Sequence, residues 1–482
     1  DLARAMDTAK LDRQRDVVRN EIRQQVENRP YGKAEEYTFR LMYPKGHPYH
    51  EAVYGTHEDL EAANVWNVKD FFATYYVPNN ASLVVAGDFD PAKVKPLIAQ
   101  QFGTLARGAP VNHRTAEPVK LDHVIRTTMI DKVQLPLVKM VWHSPPSFAD
   151  GDAEADLIAA LLSQGKNSRL YKRLVFDDKT CVDVSAHQDG AGLGSLFVID
   201  VTARPDADLS QVEKATDEEL ARLSGQPIEA SELEQRKATI ELAKLSQLQS
   251  VEAVADKLNE YEYTWGEPNS FKRDLDRYRS ATAAKVQWWA KKILDPGARA
   301  VIRVLPEQPE KLASARDKRP QDYAPTSFSP TAPQMFSLSS GVPVMLWRKP
   351  ELPLVGLMWL FKSPGPIDAP DHAGLAGLAA QMTEEGAGDL DALQFAAALQ
   401  TLGATYSAGA GMESASASMT VLKRNFEKAA GLMADALRRP RMESADWDRV
   451  KSLHLEDLRQ QDDEPTIVAA RVGLRALFGG ER

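Results

Sequence analysis

The sequence predicts an α+β protein with several successive cores, and three observations point there. Short β-branched runs such as VIRTTMI, LVKMVWH and SLFVIDVTA alternate with long stretches of helical period. At 482 residues and 43% hydrophobic, the chain has apolar side chains for more than one core. Its two ends also resemble each other, the signature of a duplicated unit.

In chain order, residues 1–27 read as one helix, the turn Asn28-Arg29-Pro30-Tyr31-Gly32 closes it, and a second helix runs to Tyr43. The run YPKGHPYHEAVYGTHEDL has too many Pro, Gly and His residues for a regular element and reads as a structured loop. A helix near Val68–Tyr76, a strand ASLVVAGDF and a helix Pro91–Phe102 follow, and the polar stretch TLARGAPVNHRTAEP serves as a linker. The pattern then restarts with strands at VIRTTMI and LVKMVWH, a helix Ala153–Leu162, strands TCVDVSA and SLFVIDVTA, amphipathic helices over 209–294 and the strand RAVIRVLP. Beyond a Pro-rich link come strands VPVMLW and LVGLMWLF, helices DHAGLAGLAAQM and ALQFAAALQTL, strands ATYSAGA and SASASMTV, and the helix RNFEKAAGLMADALRR. The expected units are 1–112, 113–310 and 335–482, with the link at 311–334.

The duplication is legible at the ends. Arg23-Gln24-Gln25 falls on Arg459-Gln460-Gln461, an offset of 459 − 23 = 436 residues. After a one-residue gap, Pro30, Ala34, Arg40 and Tyr43 fall on Pro465, Ala469, Arg475 and Phe478. The chain then spans a little more than one repeat. Residue 1 sits inside helix-like sequence and RALFGGER stops just after a helix, so both ends are expected to be internal to a longer protein.

Composition excludes several classes. A net charge of −9 without a basic run is not the footprint of a nucleic-acid binder. No stretch reaches the roughly 18 apolar residues of a membrane span. The single cysteine, Cys181, permits neither an internal disulfide nor a cysteine-based zinc site, and it reads as a buried thiol.

Glu21 is the sharpest anomaly. At 100° per residue it falls between Val17 and Val18 on the apolar stripe of the first helix, with Gln14 two turns earlier on the same side. A carboxylate facing a core must be paired, protonated or metal-bound, while a ragged stripe edge or an arginine partner is the plainer reading. His47 and His50 form a close pair interrupted by Pro48, better suited to loop packing than to a metal. Arg169 and Tyr171, after the Gly165-Lys166-Asn167 turn, could hydrogen-bond a peptide backbone, although Ser168 as helix cap with Leu170 and Leu174 in the core is favoured. Asn79-Asn80 reads as turn chemistry.

The runs QRDVVRNEIRQ, NRPYGKAEE, GHPYHEAVYGTHEDL, FFATYYVPNNASLVVAGDFDP and QGKNSRLYKRLV resemble the pitrilysin/insulinase family of zinc metallopeptidases, two-repeat bacterial type. The resemblance implies repeated α/β-sandwich domains, two per lobe, around a chamber in which zinc hydrolyses peptides or unfolded polypeptides. In that family an inverted H-x-x-E-H motif supplies two histidine ligands and the general base, and a downstream glutamate is the third protein ligand. Glu21 matches that glutamate, and Gln14 stands where the family often has a second glutamate close to the site. No H-x-x-E-H occurs in the chain.

In the second copy Gly377, Ala380 and Gln381 stand at the His, Glu and His positions, and Asp457 is the counterpart of Glu21. Their spacing, 457 − 377 = 80, places the first copy's histidine upstream of Asp1, with the general base beside it. The resemblance further implies a periplasmic or secreted protein and allows a homodimer. A non-catalytic structural or peptide-binding member of the family is the alternative.

Overall fold

The computed structural model describes residues 6–113, 115–307, 332–348, 352–362, 372, 374–411, 414–462 and 464–478. Most of the link expected at 311–334 lies outside them. The order is helices α1 (Thr8–Ile22), α2 (Gly32–Met42), α3 (His57–Ala62), α4 (Val65–Tyr75) and α5 (Pro91–Phe102), then strands β1 (Ile125–Asp131) and β2 (Leu137–Ser144). Next come α6 (Asp152–Ser163), β3 (Cys181–Asp189), β4 (Ser195–Ala203), α7 (Leu209–Gly225), α8 (Ala230–Gln247), α9 (Val251–Trp265), α10 (Phe271–Ser280), α11 (Ala283–Ile293) and β5 (Ala300–Pro306). The last stretch holds β6 (Gln334–Ser337), β7 (Pro343–Leu346), β8 (Leu354–Lys362), α12 (Leu375–Met382), β9 (Gly386–Ala387), β10 (Leu390–Asp391), α13 (Ala392–Thr401), β11 (Ala404–Ala410), β12 (Ser414–Leu422), α14 (Phe426–Arg438), α15 (Ser444–Gln461) and α16 (Pro465–Phe478). The fold is α+β.

The central sheet has the order β1-β5-β2-β4-β3, antiparallel except for the β1–β5 pair. β2 is buried over six consecutive residues because both sheet faces are covered. On one face Val138, Met140 and Trp142 join Phe197, Ile199 and Val201 against Leu157, Leu161, Leu223 and Val286 from the helices. On the other face Val141, Leu196 and Val198 meet Met42 and Tyr43, while Leu137, Ile302 and Val304 meet Ala34, all of them brought by α2. The sheet therefore carries the N-terminal helices on its back.

Entry into α2 is tight. Tyr31 adopts a left-handed φ of 63° and its hydroxyl donates to the Leu135 carbonyl at 2.9 Å. A Cβ at Gly32 would lie 2.5 Å from the Val26 carbonyl oxygen, so that position tolerates only glycine.

The third unit is a β11-β12-β8 antiparallel sheet whose inner face packs Phe395, Leu399, Met419, Val421 and Met433. Its polar junction with the central unit is extensive. Lys166 Nζ lies 2.6 Å from Glu385 Oε1, and Arg449 pairs with the other oxygen of the same carboxylate. Arg236, fully buried, donates to the Gln164 carbonyl and to Gln400 Oε1, both at 2.7 Å. Arg424 reaches Glu241 at 3.1 Å.

Two expectations change. The run ASLVVAGDF forms no strand: a strand needs a ladder partner, none pairs with it among the described residues, and Leu83 and Val85 are exposed. The loop after Tyr43 ends in the short helix α3, announced by a capping box between Thr56 and Asp59. The repeat has a structural counterpart, because α1 with its widened last turn at 23–27 leads through Pro30 into α2, as α15 leads through Pro465 into α16.

Candidate functional site

α1 begins at an Asp7 cap, whose side chain accepts from the Lys10 N–H at 2.8 Å. Its contacts to α3 run through arginines. Arg15 donates to the Leu60 and Ala63 carbonyls at 2.7 and 2.8 Å, and Arg19 reaches Glu61 at 2.8 Å. The stripe itself stays uncovered, since Ile22 is the one buried residue of α1 and Val17 is 55% exposed.

Glu21 and Gln14 are both exposed, which corrects the expectation that Glu21 faces a core. The physical reason is that the helix is anchored by its arginine face. Glu21 keeps a carboxylate with no cationic partner among the described residues, and its one described hydrogen bond comes from the Tyr54 hydroxyl at 3.3 Å. Gln14, seven residues earlier, stands about 10 Å away along the helix axis, too far to touch that carboxylate directly.

Tyr54 was not singled out by sequence. Its signal was its place just before Gly55-Thr56, where the capping box fixes the loop. Beyond it, α2, the loop 43–56 and the β3–β4 hairpin enclose a groove of about 860 Å³. His47 stacks on Tyr43 at 4.6 Å and its Nδ1 accepts from the Tyr49 N–H, while a ring nitrogen of His50 lies 2.7 Å from the Tyr43 carbonyl. These contacts are loop packing.

In the second copy Gly377, Ala380 and Gln381 lie on α12, which packs against α15, the helix of Asp457. A Cβ at Gly377 would meet nothing within 4 Å, so the position has room for a larger side chain. Asp457 is exposed, as Glu21 is, and accepts from Gln461 Nε2 at 2.7 Å. None of Gly377, Ala380 and Gln381 offers a metal ligand of the family's type.

Arg169 places its guanidinium fork on both oxygens of Glu232, at 2.9 and 2.8 Å. Tyr171 is half-buried against the central core, and burial raises its hydroxyl pKa. The Ser168 hydroxyl donates to the Gly165 carbonyl at 2.7 Å, tying the turn together where a helix cap was expected. Asn80 donates to the Tyr75 carbonyl at 2.9 Å, a turn role, whereas Asn79 accepts from the Gly108 N–H at 2.7 Å and donates to the Ala109 carbonyl at 3.2 Å, tying the turn to the segment after α5. The Cys181 thiol is buried and pushed up to about 11, an unreactive state.

Among the described residues no three His, Cys, Asp or Glu side chains come together to hold a metal ion. The donor set for zinc is therefore incomplete within them. Glu21 has the right chemistry for one ligand only.

Two descriptions of one peptidase family match this chain: Peptidase M16 inactive domain over residues 63–240, and Insulinase (Peptidase family M16) over residues 365–478. The chain belongs to the insulinase family. The zinc protease PqqE of Helicobacter pylori is 28% identical over 255 residues, which cover 52% of this chain and 56% of that relative. The chain thus spans about half the length of this relative. A solved protease from Helicobacter pylori superposes with a TM-score of 0.56 at 21% identity, covering 62% of this chain and 73% of that one. The periplasmic protease PqqL from Escherichia coli gives 0.51 at 16% identity, covering 95% of this chain and 56% of that one. These likenesses establish the shared insulinase-type fold. No helix among the described residues is long and apolar enough to cross a membrane.

Proposed function

We propose that this chain supplies Glu21 as one protein ligand to the zinc ion of a metalloendopeptidase. The two histidines and the general base come from an H-x-x-E-H motif outside these 482 residues. The observation that carries the reading is the state of Glu21: exposed on α1, free of any cationic partner among the described residues, and touched by a single tyrosine hydroxyl. A carboxylate left this way can meet a metal without first breaking an ion pair. Zinc in such a site polarises a carbonyl and activates water.

The same proposal takes peptides or unfolded polypeptides as substrates in a chamber between two lobes. It places the protein in the periplasm, in line with the solved periplasmic relative. Arg169 and Tyr171 remain scaffold in this reading, because the one is held by Glu232 and the other is packed into the core.

The test is metal content and hydrolysis of a quenched peptide by the longer protein that includes the H-x-x-E-H motif. Chelator-sensitive cleavage that disappears in Glu21→Gln is expected. Metal-free protein without cleavage would sink the proposal in favour of a non-catalytic member of the family, a second reading to which the inactive-domain match over 63–240 and the lost ligands at Gly377, Ala380 and Gln381 lend weight.

A further inference from the structure

The groove between α2, the loop 43–56 and the β3–β4 hairpin has an apolar floor made by Val26, Phe39, Tyr43, Tyr49 and Leu196. Its walls carry the carboxylates of Glu35, Glu36, Glu51, Asp59 and Asp189 against one guanidinium, Arg29. Arg29 lies 3.4 Å from Glu35. Glu36 and Glu51 share Arg40, at 3.0 and 2.8 Å. Asp59 is bound by the N–H and hydroxyl of Thr56, which hold it below the usual carboxylate range and so ionised. Asp189 has no cationic partner among the described residues. Two arginines thus face five carboxylates, and the rim keeps an excess of negative charge.

An apolar floor beneath a negative rim matches a side chain with an alkyl stem and a cationic head. Arginine fits best, since its planar head also stacks on a partly exposed tyrosine ring such as that of Tyr49. We infer that this groove binds a peptide segment through an arginine or lysine side chain. Tyr54 stands on the groove wall and donates to Glu21, so the bound segment lies beside that carboxylate. Any preference for cleavage near basic residues rests on the zinc reading of Glu21, whereas the binding does not.

The experiment is fluorescence anisotropy of the complete 482-residue chain with three dye-labelled peptides, identical except for a central Arg, Gln or Glu. At low salt the Arg peptide is expected to bind about tenfold tighter than the Gln peptide, with the advantage shrinking as salt is added. Asp189→Asn combined with Glu51→Gln should cut the Arg peptide's advantage over the Gln peptide severalfold, while Glu252→Gln, outside the groove, should leave the preference intact. Equal affinity for the three peptides, or an unchanged preference in the double variant, overturns the inference. Should the double variant fail to fold by circular dichroism, Asp189→Asn alone decides, because its side chain is exposed, and an undiminished Arg preference there is equally fatal. Arg-selective binding by a protein whose longer form shows no chelator-sensitive cleavage would overturn the peptidase proposal and leave the groove standing.

Discussion

The Tyr54 hydroxyl donates to Glu21 Oε1 across 3.3 Å and so joins the loop between α2 and α3 to the exposed face of α1. Groups that hydrogen-bond a metal ligand set its orientation, and losing one typically costs 10- to 100-fold in metal affinity. Tyr54→Phe keeps the ring and removes the donor. On the proposed zinc role of Glu21, it should weaken zinc binding about tenfold in a chelator competition, while thermal stability stays within about 1 kcal/mol of wild type. A shift in stability with no shift in metal affinity would make Tyr54 a loop anchor and nothing more.

Glu385 is buried between Lys166 and Arg449, and its loss strips Lys166 of its carboxylate and leaves Arg449 with Asp446 alone. Glu385→Ala should therefore destabilise by about 3 kcal/mol. The loss should appear in urea as an earlier transition of the third unit. Lys166→Met, which leaves the Arg449 pair in place, should cost less. Equal effects would show that Arg449 does not hold the carboxylate by itself.

Asp156 accepts from the Tyr278 hydroxyl at 2.6 Å, and burial pushes its pKa up from 3.8 to about 6. The folded protein thus binds this proton more tightly than the unfolded chain does. Its contribution to stability is full below pH 4 and is lost as pH rises through about 6. Asp156→Asn removes that titration and still accepts from Tyr278. It should gain about 2 kcal/mol relative to wild type on going from pH 4 to pH 7, read from denaturant midpoints at the two pH values. A constant difference across that range would mean that Asp156 does not titrate there.

Gly165 has a φ of +83°, and a Cβ built on it would lie 2.1 Å from Gln400 Nε2. Gly165→Ala combines backbone strain with displacement of the side chain that receives Arg236. A loss of about 1–2 kcal/mol in chemical denaturation is expected. No loss would mean that Gln400 swings aside while Arg236 keeps the Gln164 carbonyl.

The element pattern was legible where the element was buried on its own account. LVKMVWH and SLFVIDVTA became β2 and β4 because packing on the sheet faces rewards the apolar residues the sequence placed there, and VIRTTMI became the half-exposed strand β1 by pairing with β5. ASLVVAGDF failed by the same logic: its composition is that of a strand, but a strand depends on a partner that no local pattern specifies. Glu21 showed the limit of helical periodicity, which names the residues sharing a face and not what covers that face. The Tyr54–Glu21 contact and the Lys166–Glu385–Arg449 cluster were invisible, because each depends on residues brought together from separate parts of the chain.

The junction between the central and third units joins a leucine patch, Leu242, Leu245, Leu354 and Leu422, to a buried charge cluster, and the charge cluster governs how it can change. A leucine pair tolerates a methionine on one side, whereas a buried carboxylate gripped by two cations does not tolerate a lone replacement. Lys166, Glu385 and Arg449 are therefore chemically one unit spread over distant positions. Substitution at any of the three is neutral only when the others change in step, so in exchanges of domains between related proteins the matched trio, more than overall similarity, will decide which halves assemble.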